Sequence, residues 1–191
     1  MNIAIYSGSF NPIHTGHLKL AEYLTDNRLA DEVWFVVSPC NPLKEQIELI
    51  DEYLRLDMVV LAIKGKDKLK ASDVEFTMPV PSYTIDTLHC LTGLFPEHRF
   101  SLLIGSDNAL VFDQWKNYPQ ILAEYSVLVY PRRGFDFLTV ADKYPEMKLL
   151  DTPYYDISST EIRKMTRENK DAGQWLHPIV AAYIQENKLY L

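Results

Sequence analysis

Short apolar strands, each ending in a small-residue turn and leading into a helix, leave this chain few folds to adopt. Ile3-Ala4-Ile5-Tyr6 stops at Ser7-Gly8-Ser9, and Val33-Trp34-Phe35-Val36-Val37 is closed by Ser38-Pro39. Phe100 to Ile104 ends at Gly105-Ser106-Asp107, and Val127 to Tyr130 ends at Pro131-Arg132-Arg133-Gly134. Between these runs the apolar period becomes helical: residues 16–28, residues 51–63 with Leu54, Met58, Leu61 and Ala62 on one face, and residues 82–94 with Ser82 or Thr84 as cap. Residues 69–76 read as an irregular strand, and residues 108–124 as one or two short helices broken near Pro119. Ser158 and Pro178 open two late helices. Strands alternating with helices, without hairpin signals, require right-handed βαβ units. The expectation is an α/β, Rossmann-like doubly wound, mainly parallel sheet with helices on both faces. All 191 residues fit a single domain. Ligands of such sheets sit beyond the carboxyl ends of the strands, so the four turns named above are where chemistry is expected.

Composition narrows the partners. Lys and Arg number 19 against 26 Asp and Glu, a formal net charge of -7. Nucleic-acid binding needs a basic face, which this balance argues against, although a local basic pocket for a small anion is compatible with it. Cys40 and Cys90 form no CxxC pair, so neither a disulfide framework nor a structural zinc site is expected. No signal-peptide pattern and no bilayer-spanning apolar run is present, and the expected location is the cytoplasm.

The loop after the first strand reads Gly8-Ser9-Phe10-Asn11-Pro12-Ile13-His14-Thr15-Gly16-His17. Glycine permits a sharp turn and close backbone approach to a ligand. The N–H groups of a following helix start attract an anion. His14 and His17, three apart, share one face if helical, and as imidazolium groups they could grip phosphate oxygens. A His-x-x-His metal site would need a third ligand, and none is evident, so no metal ligands are assigned. Far along the chain, Ile157-Ser158-Ser159-Thr160-Glu161-Ile162-Arg163 combines a capping-box pattern (Ser158 with Glu161) with hydroxyls and a forked cation at a helix start.

These two segments resemble the signatures of the nucleotidylyltransferase superfamily, the first of them its His-x-Gly-His motif. The resemblance implies that Gly8, Ser9, Phe10, His14, His17, Ser158, Ser159, Thr160 and Arg163 bind ATP, with His14, His17 and Arg163 catalytic. Interior segments are similar to those of bacterial nicotinate-nucleotide adenylyltransferases: Pro81-Ser82-Tyr83-Thr84, Gly105-Ser106-Asp107-Asn108 followed by Trp115, Pro39 to Lys44, the Arg55 helix, and Tyr130-Pro131-Arg132-Arg133. The resemblance spans almost the whole chain. It implies that Lys44, Tyr83, Thr84, Asp107, Trp115 and Arg132 bind nicotinate mononucleotide.

Residue chemistry agrees with that assignment. Trp115 can stack on an aromatic ring, with Tyr83 beside it, and Lys44 can neutralise a 5′-phosphate. Backbone N–H groups near Tyr83-Thr84 can meet a ring carboxylate, and Asp107 can accept from ribose hydroxyls. Of the Arg132-Arg133 pair, one side chain is expected to face nucleotide and the other solvent, with Arg132 the candidate. Arg55 reads as an ion-pair partner on its helix. Residues 40–50 are a candidate for closure over substrate. The family loop usually carries Asp where this chain has Asn11, which keeps the shape and loses the charge.

The expected reaction transfers AMP from ATP to nicotinate mononucleotide, with Mg²⁺ held by ATP and water. Nicotinamide mononucleotide or phosphopantetheine as acceptor, or a non-catalytic nucleotide sensor, are the alternatives. A homodimer is compatible with the resemblance.

Overall fold

The computed structural model describes residues 1–40 and 49–191. Its strands are β1 (Asn2–Gly8), β2 (Glu32–Val37), β3 (Leu69–Ser72), β4 (Arg99–Gly105), β5 (Ser126–Tyr130) and β6 (Met147–Leu149). Its helices are α1 (Thr15–Asp26), α2 (Glu52–Ile63), α3 (Thr84–Leu94), α4 (Ser106–Ala109), α5 (Tyr118–Glu124), α6 (Ser159–Arg167) and α7 (Pro178–Glu186). The described strands form one sheet in the order β3-β2-β1-β4-β5-β6, every pairing parallel. Strand order reverses between β1 and β4, which places the crevice of the fold over the ends of those two strands.

Side-chain alternation along β1 explains the double winding. Ala4 and Tyr6 point into a core built with α1, α2, α6 and α7. Ile3 and Ile5 point into the opposite core, built with α3 and α5. A strand buried on both faces must be apolar at every position, which is why residues 3–6 carry no polar alternation. Gly8 and Val37 pair as the last residues of their strands, so β1 and β2 end level and their turns open at the same height.

Several element expectations are corrected. The run 69–76 splits into β3 and a 3₁₀ turn, Val74–Thr77. Neither Ser82 nor Thr84 caps α3; Tyr83 stands at the cap and Thr84 is the first helical residue. Pro119 does not break a helix but lies in the first turn of α5, where its missing N–H leaves no bond unmade. The edge strand β6 carries no signal of its own, being only three residues with one buried. Arg55 is not an ion-pair residue among the described groups. Fully buried, it donates to the carbonyls of Ser9, Ser38, Pro39 and Ile50 at 2.6–3.1 Å. It therefore binds α2 to the ends of β1 and β2, and burial pushes its pKa down.

Candidate active site

The turn after β1 is shaped by a strained residue. Phe10 has φ of 44°, the left-handed region that a bulky side chain adopts only under tertiary constraint. Its ring is held edge-on by Tyr6, Phe35 and His17 at centroid distances of 5.6, 5.4 and 5.2 Å. This packing turns the chain so that His14 caps α1. The main-chain N–H of His14 donates to His17 Nδ1 at 3.2 Å, and the two rings stack at 3.6 Å. With Nδ1 accepting, the ring hydrogen of His17 is on Nε2. A side chain at Gly16 would bring its Cβ to 3.0 Å from His14 Nδ1 and 3.2 Å from Ile157, so any larger residue would push the ring or the 157–159 segment outward by a few tenths of an ångström.

The pair is not the double imidazolium expected from the sequence. His14 is 6% exposed. Burial, aided by the nearby charge of Arg132, pushes its pKa down to about 3, and a second positive ring stacked on it would be repelled. His14 is therefore neutral at pH 7. The sign of the linkage follows. The unfolded histidine binds a proton near pH 6.5 and the folded one does not until about pH 3. Stability present above pH 6.5 is thus lost as pH falls, by about 2 kcal/mol at pH 5. Urea midpoints at pH 7.5 and pH 5 should therefore fall further for the wild type than for His14→Asn, and equal falls would refute the assignment.

From the far end of the chain, α6 brings its first turn to the same place. Ser158 forms the capping box with Glu161: its Oγ accepts the Glu161 N–H at 3.2 Å, and Glu161 Oε2 accepts the Ser158 N–H at 3.0 Å. Ser159 Oγ donates to the Pro12 carbonyl at 2.9 Å, and Arg163 Nη1 donates to the Asn11 carbonyl at 2.9 Å. A cavity of about 240 Å³ opens between the two segments, and its wall includes Gly8, Ser9 and Phe10, His14 and His17, Ser158 to Thr160, and Arg163. The two motifs thus converge. Asn11 Oδ1 accepts from the Tyr190 hydroxyl at 2.9 Å. The asparagine serves loop geometry toward the C-terminal segment and is not part of the cavity wall.

A second cavity of about 350 Å³ lies across Gly8 and Ser9, walled by Ser82, Tyr83, Thr84, Asn108, Trp115 and Lys116. No side chain caps α3, so its first-turn N–H groups are available to an acceptor. Trp115 packs on Phe112 at 5.0 Å and presents a wall to the cavity. Lys116 Nζ stands 4.6 Å from the Tyr83 ring centroid and pairs with Asp86 at 2.8 Å. Tyr6 and Tyr130, their hydroxyls 3.3 Å apart, border both cavities, and burial pushes both phenol pKa values up, so they form a neutral floor.

The arginine pair splits. Arg132 turns inward, bonds Asp107 Oδ2 at 2.9 Å and borders the first cavity; Arg133, with its side chain 77% exposed, pairs with Asp156. Asp107 is drawn behind the rim by that guanidinium and lines neither cavity, whereas Asn108 lines both. A Cβ at Gly105 would clash with Asp107 Oδ1 and come within 2.7 Å of Arg132 Cδ, so a side chain there would displace this ion pair. Lys44 and most of the 40–50 loop lie outside the described residues. Sequence reasoning missed Asn108, Lys116 and a third hollow of about 360 Å³ beyond His14 and Gly16, walled by Phe135, Tyr154, Tyr155 and Ile157. The Tyr154-Tyr155 pair just before the Ser158 motif was the available signal. Among the described residues no group of three His, Cys, Asp or Glu is placed to hold a metal ion, and no helix is long and apolar enough to cross a membrane.

Known proteins resemble this chain in sequence and in fold. The cytidylyltransferase-like family model matches residues 5–165. A protein of Bacteroides fragilis named probable nicotinate-nucleotide adenylyltransferase is 49% identical over 176 residues, 92% of this chain and 87% of its own length. A protein of Flavobacterium johnsoniae with the same name is 42% identical over 100% of this chain and 99% of its own. Among solved structures, Plasmodium falciparum nicotinic acid mononucleotide adenylyltransferase complexed with NaAD superposes with a TM-score of 0.85 at 26% identity, covering 99% of this chain and 97% of that one. With the family match running from the first strand through the first turns of α6, both converging motifs fall inside it, and the chain belongs to the cytidylyltransferase-like family.

Proposed function

We propose that this protein transfers AMP from ATP to nicotinate mononucleotide, releasing pyrophosphate and forming deamido-NAD, a step of NAD biosynthesis. The observation that carries the reading is that two cavities meet at one turn, Gly8-Ser9, one rimmed by donors for phosphate and the other by an aromatic wall and a helix start. The names of the curated relatives and the NaAD bound to the Plasmodium enzyme support it.

In this reading ATP occupies the cavity of His14, His17 and α6. An oxygen of the mononucleotide phosphate, already ionised, attacks the α-phosphorus in line. The bond from that phosphorus to the bridging oxygen breaks, and pyrophosphate leaves with the electron pair. Positioning and charge stabilisation therefore carry the catalysis. His17 Nε2–H meets an α-phosphate oxygen. His14 enters as neutral imidazole, and adjacent phosphate charge draws its pKa upward. The first turn of α6, with Ser158, Ser159 and Thr160, and the Arg163 guanidinium hold the departing phosphates. Tyr83, Thr84 and Trp115 receive the pyridine ring, and Arg132 stands where the nucleotide crosses β5. Lys44 is kept as the partner of the acceptor phosphate.

Mg²⁺ would enter as the metal complex of ATP and would supply charge neutralisation at its phosphates. The N–H and cationic donors around the first cavity fit a metal carried in by the nucleotide. The cytoplasm as location and a homodimer as assembly belong to the same reading.

The deciding assay is pyrophosphate release from ATP with three acceptors: nicotinate mononucleotide, its amide, and phosphopantetheine. Turnover is expected with the acid and at a lower kcat/KM with the amide, because the uncapped start of α3 favours a ring carboxylate. Phosphopantetheine should give none. ATP binding without turnover on any acceptor would mark a sensor instead.

A further inference from the structure

Glu75 is 3% exposed and has no cationic partner among the described residues, yet it sits in the wall of the second cavity. The 3₁₀ turn after β3 carries it across the end of the sheet. There its carboxylate collects three hydroxyls, two from the start of α3 and one from the end of β1. Ser82 Oγ, before α3, donates to Oε2 at 2.5 Å; Thr87 Oγ1, on the first turns of α3, donates to Oε1 at 2.9 Å; Ser7 Oγ, near the end of β1, reaches Oε1 at 3.3 Å. A buried carboxylate is costly unless its lone pairs are used. This one is an acceptor-only group that turns the hydroxyl hydrogens of Ser82 and Ser7 toward itself and shares that of Thr87 with the Tyr83 carbonyl, 3.3 Å from the same hydroxyl. With those hydrogens turned to Glu75, the oxygens of Ser7 and Ser82, which also line the cavity, offer only lone pairs to a ligand.

We infer that Glu75 is a positioning residue for the acceptor mononucleotide: acting through Ser82 and Thr87, it holds the Tyr83-Thr84 start of α3 at the height of the Gly8-Ser9 turn. This rests on the reading of the second cavity as the acceptor site. Glu75 touches no reacting atom in this scheme. Its effect falls mainly on one of the two substrates: the α1 and α6 donors of the ATP side form no hydrogen bond with Glu75, and only Ser7, its longest contact at 3.3 Å, borders both cavities.

The test is steady-state kinetics on Glu75→Gln, Glu75→Ala and Ser82→Ala, with thermal midpoints alongside. A glutamine keeps one acceptor oxygen and faces a second hydroxyl with an amide N–H. For Glu75→Gln we expect the KM for nicotinate mononucleotide to rise ~10-fold or more, with the KM for ATP within ~2-fold of wild type. Ser82→Ala removes the shortest of the three bonds and should shift the same constant in the same direction, by less. Glu75→Ala should shift it further, and if that variant does not fold, the other two decide. Equal rises in both KM values would show a merely structural residue and overturn the inference, as would an unchanged KM for the mononucleotide. A wild-type protein that releases no pyrophosphate with this acceptor would remove the function itself, a separate outcome.

Discussion

Replacing His17 with alanine lowers turnover at least ~100-fold, the scale of losing one aimed donor to transition-state charge. His17 Nδ1 is taken by the His14 N–H, so the ring cannot rotate to present the other nitrogen without breaking that bond. Tyr6 and Phe10 hold its edge at 5.7 and 5.2 Å. The Nε2–H is therefore aimed before substrate arrives, and aiming in advance is what makes such a donor worth more than one in water. The KM for ATP should change far less than kcat, since the bond matters most when charge builds on the α-phosphate. Pyrophosphate release under saturating substrates measures this. Glutamine at the same position, whose amide N–H reaches near the place of the ring Nε2–H, should recover part of the loss. Near-normal turnover in His17→Ala would remove the mechanism.

Arg163→Ala is expected to cost ~100-fold or more in kcat/KM for ATP. The guanidinium spans from α6 to the Asn11 carbonyl, so it joins the two phosphate-facing segments as well as offering charge to the leaving group. Lysine keeps the charge and loses the fork. Arg163→Lys should therefore lie between wild type and alanine in rate, while neither variant repairs the link to Asn11. The thermal midpoint should drop modestly and equally in both. If lysine and alanine were equally impaired in rate as well, the link to the loop, rather than charge at the departing phosphates, would be the dominant contribution.

Much of the fold was legible because strands buried on both faces leave a continuous apolar signature, as residues 3–6 and 33–37 do. The site was legible at strand ends, where glycine and hydroxyl residues stand out against those runs. Elements without such contrast were not. β6 is three residues long with one buried, and Glu75 is one acidic residue in a polar stretch whose meaning lies in three hydroxyls donated by other segments. Arg55 shows the same limit. Its sequence neighbours include acids, which suggested an ion pair, but its partners are carbonyls of turns that only the folded sheet brings together.

From sequence alone came the parallel α/β architecture and the two segments that carry phosphate chemistry, since periodicity and local motif are properties of neighbouring residues. Tertiary structure decided that Ser159 meets Pro12 across 147 positions, that Arg132 rather than Arg133 turns inward, and that His14 is uncharged. The packing of α6 on the first turn sets the first, and the pairing of Arg132 with Asp107 at the end of β4 sets the second. The third depends on how much water the packed chain leaves around one ring, which no stretch of sequence contains.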